Sequence, residues 1–184
     1  MKIVLIGIQG CGKSTQGNLL AKRFKVPYLS SGHIFREIAK QKTQFGRYIK
    51  EVINSGALIT NPIAIETVTS YIEKKEYKDG YILDGFPRTI TQAEAFHKED
   101  IDFVVYVKIK KKTALKRLSL RLEIENRDDD TLDAIKKRIR MFYRHTRPVV
   151  GFYREKELLL EINGERSVEK IQEDIIKKIE KRKN

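Results

Sequence analysis

Lys2-Ile3-Val4-Leu5-Ile6-Gly7-Ile8-Gln9-Gly10-Cys11-Gly12-Lys13-Ser14 is the stretch on which the fold turns. Its first half is continuously apolar rather than alternating, as in a strand buried on both faces of a parallel sheet. Its second half fits G-x-x-x-x-G-K-[ST], and Leu19, Leu20 and Phe24 then continue a helical face. A glycine-rich turn between a buried strand and a helix lets backbone N–H groups curl around phosphate oxygens, with the partial positive charge of the helix start behind them. Lys13 adds a full charge for the β- and γ-phosphates, and the Ser14 hydroxyl is a candidate Mg²⁺ ligand. A chance glycine turn is the bland alternative, and the strand and helix on either side weigh against it.

Outward from this loop, strands and helices alternate. Short apolar strands are expected around Tyr28, over 80–84, 103–107 and 158–162. Helices are expected over 31–41, 43–55, 62–75 and 113–122. A longer one is marked by Leu132, Ile135, Ile139 and Phe142, and a closing amphipathic one by Val168, Ile171, Ile175 and Ile179. Thr91 with Glu94 reads as a capping box for a helix after the 80–84 strand. The pattern predicts an α/β fold on a doubly wound, parallel five-stranded sheet flanked by helices. Two segments interrupt the rhythm, the run of helices after Tyr28 and the polar loop 123–130, and both are candidates for mobile pieces on a rigid core.

The chain has 184 residues, enough for one domain with a sizeable core; 40% are hydrophobic and 34% charged, which argues against disorder. One cysteine excludes an internal disulfide framework and a multi-cysteine zinc site. No run approaches a membrane span, and the apolar run 3–8 is too short for a signal-peptide core, so a cytoplasmic protein with no membrane partner is expected. Lys and Arg number 38 against 25 Asp and Glu, a surplus of +13. Such a surplus implies a polyanionic partner, a polyanionic substrate or simply a basic surface. The basic residues are scattered and accompany no nucleic-acid module, which weighs against nucleic acid.

Asp84 closes the second buried strand, where a carboxylate can reach a Mg²⁺ shell or cap the following helix. Beyond it lies Gly85-Phe86-Pro87-Arg88-Thr89, then Gln92. This segment resembles the nucleoside monophosphate kinases, and the adenylate kinases most. Ser30 to Arg36, Gly56-Ala57-Leu58-Ile59-Thr60, Arg117 with Arg121, and Arg127-Asp128-Asp129-Asp130 with Arg138 follow in the family's order, so the resemblance covers nearly the whole chain. It implies a P-loop NTPase-type fold in one kinase domain, 1–184, with a helical monophosphate-binding segment at 30–59 and a short lid at 122–132 that carries no zinc. The implied reaction is transfer of the ATP γ-phosphoryl group to AMP with Mg²⁺, giving two ADP. By the same resemblance Lys13, Arg88, Arg127 and Arg138 are catalytic. Gly10, Cys11, Gly12, Lys13, Ser14, Thr15, Arg117, Arg121 and Arg166 bind ATP. Ser31, Arg36, Ala57, Leu58, Ile59, Gly85, Arg88, Gln92, Arg127 and Arg138 bind AMP, with Gln92 reading the base. Ser14 and Asp84 are the metal candidates, Ser14 from the phosphate-loop pattern rather than from the resemblance, which also implies a cis peptide at Phe86–Pro87. Arg140, Arg144 and Arg147 have no such support and are left as surface.

The chemistry is coherent. A monophosphate is mostly a dianion at neutral pH and needs no general base, whereas bringing it up to a triphosphate needs positioned cations, for which guanidinium forks are suited. Seven such cations (Lys13, Arg36, Arg88, Arg117, Arg121, Arg127, Arg138) account for about half of the charge surplus. Several positions depart from the family. Ser14 stands for Gly, His33 for Asp, and Asn61-Pro62 for an acidic pair; Ser31 replaces Thr but keeps the hydroxyl. With Thr89, Ser31 favours AMP over pyrimidine nucleotides. Cys11 has two readings, a thiol of lowered pKa open to reagents or a small side chain that fits. A UMP/CMP kinase is the alternative within the class, and a non-catalytic nucleotide- or RNA-binding protein the alternative outside it. A monomer is expected.

Overall fold

Unbroken Ile, Val and Leu runs form the middle of the sheet. The computed structural model describes residues 1–97, 99–125 and 131–183, the backbone alone over 123–125. Strands β1 (Lys2–Ile6), β2 (Tyr28–Ser30), β3 (Tyr81–Asp84), β4 (Phe103–Lys108) and β5 (Leu159–Asn163) pair in parallel in the order β2-β3-β1-β4-β5. Central β1 has Ile3, Val4 and Leu5 with no exposure. From β1 the chain builds one side of the sheet through β2 and β3, then crosses to the other for β4 and β5. The carboxyl end of β1 therefore lies where the winding reverses, which is where open α/β sheets bind ligands.

The helices are α1 (Lys13–Phe24), α2 (Ser31–Lys40), α3 (Gln44–Asn54), α4 (Asn61–Ile72), α5 (Ile90–Phe96), α6 (Lys111–Glu125), α7 (Leu132–Met141), α8 (Arg147–Glu155) and α9 (Val168–Lys183). Alternate strand residues point to opposite faces, so each strand feeds two cores. Val4, Leu83 and Val104 pack with Val68, Phe96, Val149 and Tyr153 from α4, α5 and α8. Ile3, Leu5, Ile82 and Val105 pack with Leu20, Leu118 and Ile175 from α1, α6 and α9.

The expected strands and helices form, with local corrections. The capping pair of α5 is not Thr91 with Glu94. Thr89 is the N-cap, its hydroxyl accepting from the N–H of Gln92, because the helix already starts at Ile90. The longer helix ends at Met141, continues as a π-helical turn over Phe142–Thr146 and becomes α8, which the periodicity did not mark. Leu132 is 60% exposed and faces no core. Thr131 caps α7, accepting from the N–H of Ala134; Asp128 to Asp130 lie outside the described residues, as do positions 126 and 127 of the 122–132 segment read as a lid.

β5 is an edge strand, and α9 covers its outer rim. Arg182 donates to the carbonyls of Glu157 (2.6 Å) and Leu159 (2.9 Å), and Lys178 to that of Glu161 (2.6 Å). No described helix is long and apolar enough to cross a membrane.

Candidate functional site

At the carboxyl end of β1 the chain turns through Gly10 (φ +79°) and Gly12 (φ +92°), a left-handed conformation that side chains disfavour. Gly12 is the N-cap of α1 and brings no side-chain bond to the helix, and no acid lies in the first turn. The first N–H groups of α1 therefore have no side-chain cap, and the helix start carries no competing negative charge. Lys13 folds back over the loop, donating to the carbonyls of Gly7 (2.9 Å) and Ile8 (3.3 Å). Lys13 Nζ also lies 3.7 Å from Cys11 Sγ. Cys11 is fully buried, and burial pushes its thiol pKa up against the opposing pull of Lys13. Of the two readings of Cys11, the small side chain filling the space beneath the loop holds, and the exposed thiol of lowered pKa does not.

Asp84 ends β3 in register with Leu5 and Ser30, so three strand ends converge beside the loop. It is 8% exposed and accepts the Tyr28 hydroxyl at 2.7 Å. Burial, then the negative charge of Asp84, raise the Tyr28 pKa and keep that proton in place. Capping of the following helix falls to Thr89, not to Asp84. One cavity is lined by Gly10, Gly12, Lys13, Ser14, Thr15, Asp84, Arg117 and Arg121. Arg117 is braced by the carbonyls of Gly10 (3.4 Å) and Gly164 (3.1 Å). Ser14 and Thr15 are exposed to it. Hydroxyls beside a single carboxylate suit Mg²⁺, which keeps several waters and is otherwise held by phosphates; no group of three or more His, Cys, Asp or Glu able to hold a metal occurs among the described residues.

A second cavity takes Ser31, Arg36, Ala57, Leu58, Ile59, Gly85, Arg88, Gln92 and Arg138. These residues come from four separate segments of sequence, 31–36, 57–59, 85–92 and 138, and the fold brings them onto one concave surface. Its lining combines apolar Ala57–Ile59 with polar Arg36, Arg88 and Gln92. Gly85 has φ +84°, and a Cβ there would stand 2.7 Å from Ser31 Oγ and 3.1 Å from Arg88 Nη2. Glycine is what lets the chain pass beneath Arg88. The peptide Phe86–Pro87 is cis. Arg88 Nε donates to the Gly85 carbonyl (2.7 Å), the Arg88 N–H to Gln92 Oε1 (2.7 Å), and Thr146 Oγ1 to the Arg88 carbonyl (3.0 Å). Burial first, then the like charges of Arg138 and Arg36, push the Arg88 pKa down, with Asp84 opposing. Arg138 reaches the carbonyl of Ile53 at 2.8 Å.

Arg88 lines both cavities, and also a third between them with Lys13 and Arg138. The site is therefore one cleft with two chambers that meet at a guanidinium. Arg166 is elsewhere: it pairs with Asp174 (2.8 Å) and lines a separate groove near Lys110. Arg127 lies outside the described residues. Arg140, Arg144 and Arg147 are exposed, as expected of surface residues. Gln9, which lines all three cavities, and Thr146 were not singled out by the sequence reading. Gln9 occupies a position where the loop pattern accepts any residue, and Thr146 arrives through the π turn.

The adenylate kinase family model matches residues 5–158, a span that holds the loop, Asp84, Arg88 and Arg138. This chain belongs to the adenylate kinase family. An adenylate kinase of Caldicellulosiruptor bescii is 32% identical, covering 96% of this chain and 98% of its own length. Those of Buchnera aphidicola subsp. Cinara cedri and Azobacteroides pseudotrichonymphae are each 34% identical, covering 96% and 98% of this chain. The alignment with the first spans 210 positions, more than this chain's 184 residues, so that adenylate kinase carries segments absent here; the last spans 186. Family membership makes the chain a nucleotide-binding phosphotransferase of the α/β type its sheet displays.

Proposed function

We propose that the chain catalyses ATP + AMP ⇌ 2 ADP with Mg²⁺. The observation that carries this reading is the position of Arg88, shared by the chamber of the glycine loop and the chamber of Ser31 and Gln92. In the reaction an AMP phosphate oxygen attacks the γ-phosphorus. A bond from phosphorus to that oxygen forms while the bond to the β–γ bridging oxygen breaks, leaving that oxygen on ADP. No proton need be removed from the attacking dianion, and among the described lining residues of these cavities there is no histidine. Lys13 and the loop N–H groups hold the triphosphate, with Arg117 and Arg121 beside it, while Arg36 and Arg88 hold the monophosphate and Gln92 the base. Arg138, from α7, reaches the junction. Ser14 and Asp84 would hold Mg²⁺ through its water shell, and the ion offsets charge on the β- and γ-phosphates. Arg127 and Arg166 belong to this reading by family resemblance. A cytoplasmic monomer with nucleotides as its only partners completes it.

The test is an acceptor panel of AMP, GMP, CMP, UMP and dTMP with MgATP, run on the wild type and on Lys13→Met. AMP as the best acceptor, with turnover in Lys13→Met reduced by about a thousandfold, is expected. Preference for UMP or CMP, or no phosphotransfer at all, would refute it.

A further inference from the structure

Gln92 meets the monophosphate chamber with an amide whose two ends are chemically opposite, and its neighbours fix which end points where. The backbone N–H of Arg88 donates to Gln92 Oε1 at 2.7 Å. A peptide N–H can only donate, so the atom facing it must be the oxygen. Gln92 Nε2 then lies 3.1 Å from Asn61 Oδ1 and donates to it. Thr89 Oγ1 accepts the peptide N–H of Gln92 at 3.2 Å and gives its own hydrogen to the same Asn61 oxygen at 2.9 Å. Two main-chain donors thus set the polarity of a closed ring of three side chains. Turning the Gln92 amide over would place donor against donor at Arg88 and acceptor against acceptor at Asn61. Gln92 is 2% exposed, so water is not at hand to repair those losses.

An amide offers two hydrogens on nitrogen and two lone pairs on oxygen. One of each is spent in this ring, which leaves one donor on Nε2 and one acceptor on Oε1, in a fixed order. The Watson–Crick edge of adenine presents an amino donor next to an acceptor nitrogen. The edge of guanine presents a carbonyl acceptor next to an N–H donor, the reverse order. We propose that Asn61, seconded by Thr89, is a positioning residue for base specificity: it holds the Gln92 amide in the orientation that matches adenine and opposes guanine. Asn61 acts through Gln92 and needs no contact with the nucleotide. The inference rests on the reading of AMP as acceptor, and it gives a purpose to Asn61, which stands where the family has an acid. Either residue can offer Gln92 an oxygen acceptor.

Steady-state rates with AMP and with GMP, at saturating MgATP, test it in the wild type, Asn61→Ala and Asn61→Asp. Asn61→Ala removes the acceptor. Its KM for AMP should rise about tenfold with kcat within about twofold, and its AMP-to-GMP ratio of kcat/KM should fall about tenfold or more. Asn61→Asp keeps an oxygen there and should hold the ratio within about threefold of the wild type. Should Asn61→Ala not fold, Asn61→Ser, whose hydroxyl is shorter than the amide, gives the same comparison. A residue that merely ties α4 to α5 would lower the melting temperature and weaken both substrates equally. Equal losses, or an unchanged ratio in a folded variant lacking the Asn61 acceptor, would overturn the proposal while AMP activity of the wild type stood. A wild type that does not phosphorylate AMP would instead remove the functional reading beneath it.

Discussion

Arg88→Met should separate activity from stability. Arg88 is half-buried beside Arg36 and Arg138, and both burial and like charge push its pKa down, so the folded protein resists a cation at this point. Replacing it by a neutral side chain of similar length relieves that repulsion. The losses on the other side are the attraction of Asp84 and the Nε bond to the Gly85 carbonyl, the latter about 1 kcal/mol for an ordinary hydrogen bond. The bonds to Gln92 and Thr146 use the main chain of residue 88 and survive the change. The two effects nearly offset, so the melting temperature should stay within about 4 °C, given roughly 2–4 °C per kcal/mol for a chain of this size. Activity should behave differently. Each charge-assisted bond to a phosphate is worth about 1.5–3 kcal/mol, and a bidentate guanidinium makes two, so kcat/KM should fall by about 10²–10⁴. A coupled assay for ADP and differential scanning calorimetry measure the two quantities on one preparation. AMP should also raise the melting temperature of the wild type more than that of the variant, by linkage. Activity within tenfold of the wild type, or a melting temperature lowered by more than about 8 °C, would refute this account of the cleft.

Two further outcomes follow from local geometry. Gly85→Ala places a side chain at φ +84°, a left-handed conformation costing about 1–2 kcal/mol, and sets its Cβ against Ser31 and Arg88. Its melting temperature should drop by about 4–8 °C and its KM for AMP should rise; an unchanged melting curve would contradict the crowding described for Gly85. Glu161 bonds Lys108 (2.7 Å) and Arg154 (3.1 Å), and these partners, Lys108 first, hold its carboxyl pKa below the ordinary value. A depressed carboxyl stabilises the fold above its unfolded pKa, and that contribution is lost as pH falls through the folded value. Glu161→Gln should therefore melt about 1–2 °C lower near neutrality, with the gap closing below about pH 4; a gap constant from pH 7 to pH 3 counts against the pairing.

The central sheet was legible because parallel strands buried on both faces must be continuously apolar, and Ile3 to Ile6, Tyr81 to Leu83 and Phe103 to Val105 are. The glycine loop was legible for a related reason: close backbone approach leaves few residue choices. Other features depended on three-dimensional context. Thr89 with Gln92 and Thr91 with Glu94 both satisfy the capping pattern, and only the path of the chain after Pro87 decides for the first. The start of a helix suggested an acidic thiol at Cys11, but its side chain turns inward, where desolvation outweighs the nearby positive charge. α8 escaped notice because the π turn at Phe142–Thr146 shifts the phase of the apolar face without any glycine to announce a break. Arg166, whose expected role came from resemblance alone, is held by Asp174 outside the two chambers. Asn61 was visible in the sequence only as a departure, and its three-way ring with Thr89 and Gln92 joins residues about thirty positions apart.

The covered rim of β5 bears on how the chain avoids its own kind. An open strand edge is a template for another strand, and proteins usually blunt it with charges or bulges on the strand itself. Here the guard is borrowed from α9: Lys178 and Arg182 occupy the carbonyls of Glu157, Leu159 and Glu161, the acceptors an incoming strand would need. The final turns of the last helix thus serve as a stopper on sheet growth, and neither Lys178 nor Arg182 lines the two chambers of the cleft. A chain ending before Lys178 would keep each side chain of those chambers and lose its safeguard against fibre-like stacking.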